Sequence, residues 1–101
     1  MSLVNAITLS GYTTLIPQVS IYNGYPKYYI ADLDGGGEDV TVEHDGTDWT
    51  IESVALAISQ SVTSTAPYPP KTIGTATIEY GYNGSKPVSY THLTLPTIYS
   101  V

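Results

Sequence analysis

Between Tyr22 and Ile51 the chain is cut by glycine turn signals at intervals too short for helices. The stretch reads YNGYPKYYIADLDGGGEDVTVEHDGTDWTI. Asn23-Gly24 is a type I′ hairpin signal, because both central residues tolerate positive φ. Pro26 follows closely enough that a longer loop through Tyr25-Pro26 is the alternative. Asp34-Gly35-Gly36-Gly37 is a loop, since three consecutive glycines lose too much backbone freedom in a strand. Asp45-Gly46 turns the chain again. What remains between the turns are short segments of alternating polarity, the period of a half-buried strand.

The segment KYYIADL (27–33) places Tyr29, Ala31 and Leu33 on one face and Tyr28 and Ile30 on the other. Both faces carry apolar groups, which points to a central or two-sided position. DVTVEH (39–44) sets Val40, Val42 and His44 against Thr41 and Glu43. A two-residue loop at Asp45-Gly46 puts Val42 opposite Trp49 and Val40 opposite Ile51. A four-residue loop puts His44 opposite Trp49 and Val42 opposite Ile51. Either register collects Val40, Val42, Trp49 and Ile51 on one face, with Trp49 as its anchor.

The flanks are read in the same way. NAITLS (5–10) is a first strand. The Ile16-Pro17 step is expected to break its ladder, so that QVSIY (18–22) starts afresh. SVALAISQS (53–61) is the one place where a helical turn competes with a strand, and strand or irregular structure is favoured. TSTAPYPPK (63–71) is an extended, proline-rich connection, and TATIEYGY (75–82) is a last strand. The expected fold is all-β: a small antiparallel meander, sandwich or strongly curved sheet of about five to seven short strands.

Composition agrees. The chain has 101 residues, enough for one small domain, with ten Tyr, one Trp and no Phe. Tyr, Val, Ile and Thr suit pleated surfaces. Only 12% of residues are charged, a composition common in extracellular and virion proteins. The net charge of −6, with Lys27, Lys71 and Lys86 as the only strong cations, argues against a nucleic-acid partner. There is no cysteine, so disulfides and thiolate metal sites are excluded. The N-terminus lacks the basic start and long apolar run of a signal peptide. No apolar run approaches the roughly 20 residues of a membrane-spanning helix.

Two stretches resemble known sequences. Tyr22, Asn23, Gly24, Pro26 and Tyr28 (or Tyr29), followed by Asp45, Gly46, Thr47, Trp49 and Ile51, resemble a small β module. That module occurs in phage tail-fibre and other virion-associated proteins, as Y-N-G-K-P-x-Y and then W-D-G-T-x-W-x-I/L. Tyr25 stands where Lys is usual, His44 where an aromatic is usual, and the glycine-rich insert is longer. The resemblance implies a non-enzymatic β module, usually one of several in a long chain. The second stretch, Val88 to Val101, resembles translated sequencing-library adapter, with VSYTHLTLPT as its most specific part. It implies an environmental reading frame that runs into adapter after about Pro87. The natural domain would then be residues 1–87 of a longer protein, and the tail an added segment able to pair as an extra strand.

Few residues carry chemistry. Asp32, Asp34, Glu38 and Asp39 could supply oxygens to Ca²⁺, although their spacing is not that of an EF-hand loop. The plainer reading is a solvated hairpin loop and no cofactor. His44 is the one candidate base, yet it sits on a strand face beside Trp49, and no Gly-x-Ser-x-Gly elbow exists. Zinc would need a second reliable histidine. Tyrosine is the surplus: Tyr22, Tyr25, Tyr28, Tyr29, Tyr68, Tyr80 and Tyr82 are too many for a small core. Some either fill the rims of a thin sheet or make glycan or subunit contacts, with Tyr22, Tyr25, Tyr28 and Tyr29 as the binding candidates. The sequence therefore predicts a structural or attachment module of a phage-like virion, outside the cell. Its expected partners are copies of itself, other virion proteins or a glycan, with no membrane and no nucleic acid. A calcium-dependent adhesion module using the Asp32–Asp39 loop is the alternative.

Overall fold

Alternating polarity becomes the two faces of one curved antiparallel wall. The computed structural model describes residues 4–82, so the adapter-like stretch and any strand it adds lie outside the described residues. Eight strands follow one another: β1 (Ala6–Leu9), β2 (Ile16–Tyr22), β3 (Tyr25–Leu33), β4 (Glu38–His44), β5 (Asp48–Ser53), β6 (Ile58–Thr63), β7 (Thr72–Ile73) and β8 (Ala76–Gly81). From β1 to β6 each pairs antiparallel with the next; β7 pairs with β8, and β8 returns to β1. The result is an up-and-down barrel, open only between β6 and β7. There β7 lies against β5 and β6 without a ladder. The Thr75 N–H donates to Gln60 Oε1 across the gap at 3.3 Å. A Cβ on Gly74 would collide with that Gln60 side chain, so the close approach depends on glycine.

An eight-stranded barrel is just wide enough for side chains to fill it. Its interior holds Ile7, Ile16, Tyr28, Leu33, Val40, Val42, Trp49, Ile51 and Ile73, none with measurable exposure. The strand count is eight where five to seven were expected. One reason is that β7 is only two residues long and has no periodicity to read. The other lies in the 53–61 stretch. There β5 ends at Ser53, a turn over 54–57 follows, and β6 begins at Ile58.

Three local expectations are corrected. Pro17 lies inside β2, opposite Ala6. The Gln18 N–H donates to Asn5 O on the β1 side, so the nitrogen of Pro17 faces the other way. On that side pairing with β3 starts only at Gln18, and no ladder bond is lost. In β3 the expected face pattern fails after Ile30. The register shifts between Ile30 and Leu33, where Asp32 has φ 63°. This bulge restores Leu33 to the inner face with Tyr28, while Tyr29 and Ala31 point out. β3 is therefore one-sided, with its outer face at the surface.

Both open turn questions resolve. Tyr22 pairs with Tyr25, and Asn23 and Gly24 have φ of 56° and 83°, the two-residue type I′ turn. His44 pairs with Trp49 and Val42 with Ile51, so the four-residue loop is the one formed.

Candidate functional site

Asn23 and Trp49 of the resemblance meet Tyr25 and His44, two of its departures, at one end of the barrel, where they hold two turns together. The Asn23 side chain donates Nδ2–H to His44 O at 3.1 Å, tying the β2–β3 turn to the end of β4. The Tyr25 ring stacks on His44, with centroids 3.7 Å apart and planes 11° from parallel. Trp49 meets both rings edge-on and donates its indole N–H to Ala66 O at 2.9 Å. The proline-rich connection thus runs as a strap under these aromatics.

His44 is fully buried. Its Nδ1 accepts from the Gly46 N–H at 3.0 Å, so that nitrogen carries a lone pair and the proton sits on Nε2. Nε2–H then donates to Ser64 O at 2.7 Å. Both nitrogens are occupied by backbone, and neither faces a nucleophile. Asp45 accepts from the N–H groups of Thr47 (2.9 Å) and Asp48 (2.7 Å). These two bonds, Asp48 first, hold its carboxyl below the usual carboxylate range.

The acidic loop is also tied to backbone. Asp32 accepts from the Gly37 N–H, Asp39 from the Asp32 N–H at 3.1 Å, and Asp34 from the Thr14 hydroxyl. Glu38 folds over Gly36. Among the described residues no group of three or more His, Asp or Glu side chains is arranged to hold a metal ion.

The four nominated tyrosines separate. Tyr28 is in the core, its hydroxyl donating to Val4 O at 2.9 Å; it is not available to a partner. Tyr25 is half-buried on His44. Tyr22 and Tyr29 are exposed, and Lys27 Nζ lies 5.6 Å above the Tyr22 ring. Elsewhere, the Tyr80 hydroxyl donates to Pro69 O at 2.8 Å, and burial pushes its ionisation upward.

Tyr29 opens onto a surface groove of about 440 Å³ between the β3–β4 loop and the β5–β6 turn. No family model matches this chain, and neither a curated protein nor a solved structure does. Of the groove's other residues only Asp39 was singled out in the sequence, and there as a possible metal ligand. Thr41, Glu52 and Val54 join Tyr29 only through the register of three strands, which alternation alone does not set.

Proposed function

We propose that this barrel is a non-enzymatic structural or attachment module of a phage-like particle, part of a tail fibre or surface protein. It acts outside the cell through contacts with a glycan, with copies of itself or with other particle proteins. The observation that carries this reading is how the polar groups are divided. His44, Asn23, Asp45, Asp32 and Asp39 are bound to backbone within the scaffold, while Tyr22 and Tyr29 remain at the surface. Exposed tyrosine offers an apolar body and a polar tip, the combination favoured at contact surfaces. The resemblance of residues 22–51 to virion-associated modules supports the same reading.

The test is to sequence outward from the gene in its source DNA. The proposal expects a longer reading frame flanked by genes for particle structural proteins. A self-contained gene within a metabolic operon would contradict it.

A further inference from the structure

Along the outer face of the wall, Tyr29 pairs with Thr41 and Thr41 with Glu52. The three side chains therefore lie in one cross-strand row, with neighbouring Cβ atoms about 5 Å apart. The parallel row one step along is internally satisfied: Lys27 pairs with Glu43 at 3.2 Å, and the Thr50 hydroxyl donates to Glu43 O at 3.2 Å. The Tyr29–Thr41–Glu52 row is not. Among the described residues, none of these three side chains makes a hydrogen bond or an ion pair. The row lines the groove together with Asp39 and with Val54, which is 99% exposed.

We propose that this groove binds a neutral saccharide. The inference rests on the attachment reading and names its ligand class. Tyr29 offers a ring face for the apolar C–H side of a sugar, with its hydroxyl at the edge. Glu52 is an acceptor for a sugar hydroxyl, as is the Asp39 carboxyl oxygen not taken by the Asp32 N–H, and the Thr41 hydroxyl both donates and accepts. A polyol, which needs donors and acceptors within the span of one ring, matches that mixture. Among the described residues no Lys or Arg lines the groove, so its two carboxylates disfavour uronic and sialic acids, phosphate and nucleic acid. An extended peptide fits less well. In the sheet β3, β4 and β5 each lie between two neighbouring strands, leaving no exposed edge for strand addition. The groove volume lies within the range of small-molecule sites.

The experiment is an amide NMR titration of the full chain with cellotriose, maltotriose and chitotriose at millimolar concentration. Trigalacturonate and a lysine-rich peptide serve as controls. At least one neutral trisaccharide should give saturable shifts centred on Tyr29, Thr41, Glu52 and Val54. Tyr29→Ala and, separately, Glu52→Gln should each weaken binding about tenfold or more with unchanged melting, while Tyr22→Ala should not. No saturable shift at the groove with any neutral trisaccharide would overturn the inference. Equal binding by Tyr29→Ala, or tighter binding of either control, would do the same. Saccharide shifts centred on Tyr22 would also overturn the groove assignment but leave the attachment reading standing. That reading is judged independently by the gene's neighbours.

Discussion

His44 is held at both ring nitrogens at once, and only the neutral ring with its proton on Nε2 satisfies both bonds. A histidine so placed ties the strap to the Asp45–Asp48 loop. Asp45 works beside it through its charge. Its carboxyl is held below the usual range by the Asp48 and Thr47 N–H groups. It therefore contributes stability above the unfolded carboxylate value, and that contribution is lost as pH falls through the folded one. Asp45→Asn keeps an accepting oxygen but removes the titration. Thermal melts from about pH 6 to about pH 2 should show a shallower acid decline for the variant, with the two curves converging at the acid end. Parallel curves would mean that Asp45 contributes nothing through its charge. Trp49 is the larger residue-scale determinant, fully buried and touching Tyr25, His44 and the strap. Trp49→Ala should cost about 3–5 kcal/mol, a large share of a small domain's stability. Circular dichroism should show mostly unfolded protein at room temperature.

At the scale of elements, the turns were the most legible part of the sequence. Asn23-Gly24 could be read because a type I′ turn demands residues tolerant of positive φ. Val40, Val42, Trp49 and Ile51 could be placed on one face because both even registers agree. The bulge at Asp32 could not, since one extra residue inverts every later side chain and no local signal marks it. The β5–β6 turn was hidden for a related reason: Ala57 occupies φ 57°, a conformation that ordinarily calls for glycine. Ala57→Gly should relieve that strain and raise stability by about 0.5–1 kcal/mol in urea unfolding. A loss would mean that the turn relies on the alanine. The β3–β4 loop makes the opposite point. Its acids read in sequence as a solvated loop with a calcium site as the alternative, and in the fold Asp32 and Asp39 accept N–H groups from their own loop. Millimolar Ca²⁺ should shift the melting temperature no more than NaCl of equal ionic strength. A shift specific to Ca²⁺, abolished by Asp34→Asn with Glu38→Gln, would restore the adhesion alternative.

For the whole molecule, the all-β class and the meander were readable, whereas closure was not. Closure depends on β8 returning to β1 and on Gln60 reaching Thr75 across the gap, contacts between distant parts of the chain. The groove escaped notice for the same reason: it exists only once Tyr29, Thr41 and Glu52 fall into register. Among the described residues, His44, Asn23, Asp45, Asp32 and Asp39 bind backbone, while the Tyr29–Thr41–Glu52 row faces out without a protein partner. Urea unfolding of single alanine variants tests that division most directly. Asn23→Ala and His44→Ala should each lower the unfolding free energy by about 1–3 kcal/mol. Tyr29→Ala, Thr41→Ala and Glu52→Ala should each stay within about 0.5 kcal/mol of the parent. If the first set proved silent and the second destabilising, the division between scaffold and working surface would be contradicted.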